Sequence, residues 1–257
     1  MAKITATFLG TGTSQGIPVI ACKCKVCQSQ NLKDNRTRTS LLLTIDGKNC
    51  VIDTGPDFRQ QMLREKIDSL EAVLFTHEHK DHISGMDDIR AYNYVSKSAM
   101  KIFADKRVER ALHREFHYVF SGDDYPGIPK VDLTIFDDKP FELLGETIIP
   151  IEVMHYKLPV KAFRLRNFTY ITDANFVDEQ NFEKIKGTEI LVLNALRKEK
   201  HISHFNLDEA LDFIEKINPK KAYLTHISHL FGLHEIENKL LPNNVEVAYD
   251  GLSFDIV

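Results

Sequence analysis

From Leu74 to Gly85 the chain reads LFTHEHKDHISG, which places His77, His79, Asp81 and His82 within six residues, directly behind an apolar run. Side chains two apart on an extended segment point the same way, so His77 and His79 can converge from one stretch of backbone. Asp81 and His82 follow as the chain turns back. Imidazole and carboxylate together suit zinc, manganese or iron. A metal centre needs more ligands than one loop supplies, and the sequence offers three at other strand-like ends. His155 closes ETIIPIEVMH, Asp173 closes FTYITD and His226 closes KKAYLTH. Taken singly, such a residue is more often a satisfied core histidine or a turn former. Repeated three times, the arrangement predicts a fold in which several strand ends meet on one rim.

The rest of the pattern agrees with such a fold. KITATFLG reads as a strand with Ile4, Ala6 and Phe8 on one face, and SLLLTIDGKNCVIDTG as a hairpin turning at Asp46-Gly47. Residues 58–66 have helical composition, and 105–120 read as one amphipathic helix with Val108, Leu112, Phe116 and Phe120 at helical spacing. VDLTIF, ETIIPIEVM, AFRLR, FTYIT and EILVLNA are predicted strands, 178–186 and LDEALDFIEKI predicted helices, and VEVAYDGLSFDIV a single closing strand. Strands with helices interspersed in both halves predict an α/β chain, two sheets covered by helices, with residues 1–257 as one domain. At 257 residues and 43% hydrophobic the chain can fill such a core.

Some classes are disfavoured. No apolar run approaches the roughly 18 residues of a membrane span, and MAKITATFLG lacks the pattern of a signal peptide, so a cytoplasmic location is expected. A net charge of −4 argues against broad nucleic-acid binding, which relies on many Lys and Arg contacts. Of the four cysteines, Cys50 reads as a core residue, whereas Cys22, Cys24 and Cys27 crowd into ACKCKVC. Three close thiols point to metal rather than to a disulfide scaffold. Zinc in a closed site prefers four ligands, and His229, three residues past His226, is the candidate fourth.

THEHKDH resembles the H-x-H-x-D-H motif of the metallo-β-lactamase superfamily, with the later His, Asp and His in that superfamily's order. The resemblance implies an αββα sandwich with two divalent metal ions along one edge. It implies His77, His79 and His155 on one metal, Asp81, His82 and His226 on the other, and Asp173 bridging them with a water. Asp53, in IDTG, matches an early aspartate that supports the histidine loop. Such a pair of metals suits hydrolysis of a phosphodiester, a thioester or a lactam.

GTGTSQGIPVIACKCKVC and LTHISH narrow the resemblance to the phosphoribosyl 1,2-cyclic phosphate phosphodiesterases. This implies a structural zinc on Cys22, Cys24, Cys27 and His229, Mn2+ or Zn2+ in the active site, and a small, cyclic phosphodiester as substrate. A homodimer is common in that group. His204 matches a histidine thought to assist the reaction and, with Asp81, is the catalytic candidate; His201 competes with it. The pyrroloquinoline-quinone biosynthesis B protein, an accessory metalloprotein, and tRNase Z, an RNA endonuclease, are the alternatives. The complete ligand set favours a working enzyme over the first. Only seventeen residues separate His155 from Asp173, too few for the docking arm tRNase Z commonly carries there. Residues 86–130, with Arg90, Tyr92, Tyr94, Tyr118 and Tyr125, are the expected substrate-facing insert, although most of these side chains are expected to pack or face solvent. The GTGTS loop reads equally as a phosphate cradle or a tight turn.

Overall fold

The computed structural model describes residues 2–122 and 125–256. Its first half contains β1 (Ile4–Gly10), β2 (Ser40–Ile45), β3 (Lys48–Ile52), α1 (Phe58–Arg64), β4 (Ala72–Leu74), α2 (Lys80–Ile83), α3 (Arg90–Ser96), β5 (Met100–Ala104), α4 (Lys106–Glu115) and β6 (Val131–Ile135). Its second half contains β7 (Phe141–Leu143), β8 (Glu146–His155), β9 (Leu158–Leu165), β10 (Phe168–Ile171), α5 (Glu179–Ile185), β11 (Ile190–Asn194), α6 (Leu207–Ile217), β12 (Lys221–Thr225), α7 (His234–Asn238), β13 (Val245–Val247) and β14 (Ser253–Ile256). They build two seven-stranded mixed sheets, ordered β14-β1-β2-β3-β4-β5-β6 and β13-β12-β11-β10-β9-β8-β7. With helices on both outer faces, the architecture is the αββα sandwich.

The period-two pattern divides each strand between layers. Ile4, Ala6 and Phe8 of β1, Leu41 and Leu43 of β2, and Cys50 and Ile52 of β3 enter the core between the sheets. There they meet Phe163, Phe168, Tyr170, Val192 and Tyr223 of the other sheet. The alternate residues Leu42, Val51 and Val73 face outward, under Phe58, Met62, Val108 and Leu112 of α1 and α4. Leu191, Leu193, Ala222 and Leu224 likewise meet Ala210, Phe213 and Ile214 of α6. Both faces are covered, so these strands read as continuous apolar runs. The β2–β3 hairpin turns at Asp46 (φ 47°) and Gly47 (φ 78°), both left-handed as a two-residue turn requires.

Three expectations change. The helix predicted over 105–120 stops at Glu115 and continues as a short 3-10 turn over His117–Val119. The closing run is two strands in different sheets: β13 pairs with β12, whereas β14 crosses to pair with β1. Ala248 to Leu252 make that crossing, with Gly251 at φ 89°, and the chain's end thereby ties the two sheets together. The residues singled out in the insert at 86–130 are engaged elsewhere, whereas its Arg107 and Glu115 pair with Glu78 and Lys80 of the histidine loop. Tyr92 is buried with its hydroxyl donating to the Ile67 carbonyl, Tyr118 binds Asp87, and Arg90, Tyr94 and Tyr125 line a separate cavity of about 630 Å3. Asp123 and Asp124 of this insert lie outside the described residues.

Candidate metal centre

The strand ends meet as the sequence predicts. His77 follows β4, His155 ends β8, Asp173 follows β10 and His226 follows β12, all at the carboxyl ends of their strands, the usual ligand side of such sheets. Asp53, Asp173 and His226 each adopt left-handed backbone, with φ of 64°, 55° and 57°. Non-glycine residues rarely do so, and strain of this kind gathers at functional sites. The Lys161 N–H donates to the Thr76 carbonyl at 3.0 Å, tying β9 to the start of the histidine loop. Two glycines let that loop lie close: a Cβ on Gly55 would sit 2.2 Å from the Asp81 carbonyl oxygen, and one on Gly85 2.2 Å from that of Gly55.

The imidazoles converge. His77 Nε2 and His79 Nδ1 are 3.0 Å apart, and the His155 ring lies 5.2 Å from that of His79. His82 Nε2 is 3.3 Å from Asp173 Oδ2 and 3.4 Å from Asp81 Oδ2. On the other side, His226 Nε2 is 3.3 Å from Asp173 Oδ1. Asp173 therefore belongs to three groups, His77–His82–Asp173, Asp81–Asp173–His226 and His155–Asp173–His204, in each of which the ligand atoms lie within 4.8 Å of one another. His82 Nε2, fully buried, makes no hydrogen bond. Buried polar atoms are almost always satisfied, so a nitrogen held between carboxylates without a partner fits a cation ligand.

The charges agree. Burial opposes charge on His82, yet Asp173, Asp81 and Asp53 carry its pKa well above the ordinary histidine value. Burial likewise opposes charge on Asp173, but His226 and His82 hold its carboxyl well below the usual range. This is a pocket of fixed negative charge that stabilises a cation. His77 and His226, also buried, are pushed downward and stay neutral, the state in which imidazole binds metal. Asp53 lies behind the loop, as expected, accepting from His82 Nδ1 at 2.7 Å, the Thr76 N–H at 2.8 Å and the Thr76 hydroxyl at 2.7 Å.

His204, also buried, stands beside the cluster. Its ring centre is 4.4 Å from that of His155 and 4.8 Å from that of His226, with Nδ1 3.9 Å from Asp173 and unpartnered. The capping box of α6, Asn206 with Glu209, fixes the chain two residues on. Burial, then His226, lowers its pKa to about 2, so the ring is neutral. His201 lies farther out, its ring 5.3 Å from that of His204.

Cys22, Cys24 and Cys27 surround His229, their sulfurs 3.3, 3.4 and 3.6 Å from its Nδ1. The Cys27 N–H, against burial, draws the Cys24 thiol down to about 6, and a thiolate is the form that binds metal. The four groups form a second candidate site. Cys50 is fully buried. The GTGTS loop is engaged by protein: Thr11 donates to Asp250 at 2.8 Å, Thr13 Oγ1 is 3.1 Å from His226 Nε2, and Gly12 bridges to Arg38 and Ile227. The sequence reading missed Thr39, Thr76 and Ser203, which orient the rings. Threonine and serine carry no pattern that marks such a role.

A family profile described as a beta-lactamase superfamily domain matches residues 48–227. The chain is 39% identical over 248 residues to an octanoyltransferase of Porphyromonas gingivalis, covering 95% of this chain and 50% of that one, so it spans half the length of that relative. It resembles the crystal structure of a new diphosphatase from the PhnP family, with a TM-score of 0.92 and 36% identity over 99% of this chain and 98% of that one. Zn2+-bound PqqB from Methylobacterium extorquens shares the fold, with a TM-score of 0.77 and 17% identity over 98% of this chain and all of that one. Among the described residues no helix is long and apolar enough to cross a membrane. The matched profile and the converging ligands agree: the chain belongs to the metallo-β-lactamase superfamily of hydrolases.

Proposed function

We propose that this chain is a metal-dependent phosphodiesterase acting on a small, cyclic phosphodiester. The observation that carries the reading is the sharing of Asp173 among three ligand groups, one of which includes His204. In this reading His77, His79 and His155 hold one ion, Asp81, His82 and His226 the other, and Asp173 both. Two such ions, Mn2+ or Zn2+, would supply Lewis acidity and activation of a water. In the hydrolysis a water oxygen adds to phosphorus and the P–O bond to the leaving oxygen breaks. An anionic phosphate against His204 raises the ring's affinity for a proton, so substrate charges the neutral ring, which then protonates the leaving oxygen. Cys22, Cys24, Cys27 and His229 hold a structural zinc that pins the N-terminal loop beside His226.

The similarity to the PhnP-family diphosphatase favours a second reading in which the bond is a phosphoanhydride. Both use the same ligands, and the substrate distinguishes them. Turnover of bis-p-nitrophenyl phosphate and phosphate release from ADP would be measured with Mn2+ or Zn2+, in the wild type and in His79→Ala. Diester hydrolysis lost in the variant supports the first reading, and phosphate release from ADP alone supports the second. If the folded, metal-loaded protein cleaves neither, the hydrolytic reading fails and a PqqB-like accessory role replaces it.

A further inference from the structure

Beside His79 and His155 opens a cavity of about 440 Å3 whose other walls are Tyr156, Lys157, Leu158 and Ile202. Two large apolar side chains lie exposed on its lips, Tyr156 at 50% and Ile202 at 65%. Tyr156 also occupies a costly conformation. His155 pairs with Leu158, so Tyr156 and Lys157 form the two-residue turn between β8 and β9. Tyr156 has a φ of 58°, at a turn position where glycine or asparagine is cheaper and a bulky ring is rare. The turn does not need the ring, and the ring is not packed into the core.

The lips are also held rigidly. Asn175, two residues past Asp173, accepts from the Tyr156 N–H at 2.7 Å and donates to the Ile202 carbonyl at 3.2 Å. The Ser203 carbonyl accepts from His155 Nδ1 at 2.7 Å. One amide thus bolts both walls to the chain that carries Asp173. The Lys157 ammonium, 5.3 Å from the Tyr156 ring centre, adds a positive charge at the same edge. An aromatic face, an aliphatic face and a cation beside metal ligands match a ligand with a flat ring and a phosphate.

We infer that Tyr156 and Ile202 form a specificity shelf that takes the base of a nucleoside phosphate whose phosphate lies at the His79–His155 side of the centre. This rests on the phosphate-ester reading above and narrows its substrate class. Base stacking on an aromatic residue is tolerant of base identity, so the shelf selects for a nucleoside without selecting one base.

The test is calorimetric binding of AMP and of ribose 5-phosphate to the Mn2+-loaded protein, in the wild type, Tyr156→Asn and Tyr156→Phe. Both ligands present the same phosphate, and AMP alone carries a base. The wild type is expected to bind AMP at least tenfold more tightly. Tyr156→Asn is expected to bring that ratio close to one, and Tyr156→Phe to keep it. Asparagine accepts left-handed backbone readily, so this variant should melt no lower than the wild type and its loss reads as loss of the ring. Equal binding of both ligands by the wild type, or an unchanged ratio in Tyr156→Asn, would overturn the shelf and leave the phosphate reading standing. Failure of both ligands to bind would overturn both.

Discussion

Four of the imidazoles have Nδ1 engaged by the protein, and the partners settle which nitrogen faces the centre. The Thr76 hydroxyl gives its proton to Asp53, so its oxygen accepts from His77 Nδ1, 3.0 Å away. The Thr39 hydroxyl gives its proton to the Gly12 carbonyl and accepts from His226 Nδ1 at 3.1 Å. His82 Nδ1 faces Asp53 and His155 Nδ1 faces a carbonyl. With Nδ1 so engaged, Nε2 is the nitrogen each ring turns toward the centre, where that of His226 lies 3.1 Å from Thr13 Oγ1 and that of His77 3.0 Å from His79 Nδ1. This is the orientation control that supporting residues give metal sites. Asp53→Asn should therefore lower affinity for the catalytic metals about 10–100-fold with the fold intact, checked by competitive metal titration and circular dichroism. Thr39→Val should act in the same direction. Asp173→Ala removes the ligand common to all three groups and should abolish turnover in folded protein. Wild-type activity in that variant would refute the two-metal assignment.

At the scale of elements, short connections carry the chemistry and their backbone leaves little freedom. Gly55 and Gly85 stack under the α2 turn, and the Gly85 N–H donates to the Thr54 carbonyl at 2.8 Å. Gly55→Ala should cost about 1–3 kcal/mol by forcing that turn away, measurable as a lowered melting temperature together with weaker metal binding. The cysteine loop is held through its far end as well. Ser29 donates to Asp34 at 2.6 Å, and Asp34 accepts from the His234 N–H at 2.7 Å. Cys24→Ser should reduce zinc content and lower the melting temperature by several degrees. Full zinc retention with unchanged melting would count against the structural site. His234 also makes this corner acid-sensitive. Burial, then Arg36, lowers its pKa to about 4, and Arg36 Nη2 lies 3.3 Å from its Nδ1. The unfolded chain binds this proton near the ordinary value of about 6.5, so stability falls as pH drops from there toward 4. His234→Gln should flatten the denaturant-measured stability across that interval by no more than about 3 kcal/mol relative to wild type.

At the scale of the whole molecule, the centre lies where two sheets, each contributing strand ends, are stitched edge to edge. Gly12 bridges to Ile227, the Lys161 N–H reaches Thr76, and β14 returns from the second half to the first sheet. A bound ion would therefore link ligands from both halves. Chelation should lower the cooperative melting temperature, and restoring Mn2+ or Zn2+ should raise it in a concentration-dependent way, since a ligand of the native state stabilises by mass action. Scanning calorimetry of the stripped and reloaded protein checks this.

The sequence by itself determined the layers and the candidate ligands. Period-two burial, the Asp46-Gly47 turn and the strand-final His155, Asp173 and His226 are local consequences of alternation, backbone preference and spacing, legible one segment at a time. Tertiary structure decided what depends on long-range neighbours. The closing run looks like one strand because Val245 to Val247 and Ser253 to Ile256 both favour extended backbone, and only their pairing partners show that they belong to different sheets. The insert tyrosines read equally as pocket lining or as packed and exposed side chains, because exposure is not written in a tyrosine. The neutrality of His204 and the turning of each imidazole by threonine, aspartate or carbonyl come from burial and from groups up to 187 residues apart, as with Thr39 and His226. Desolvation and ring orientation are set by packing, and packing exists only once the strand ends have met.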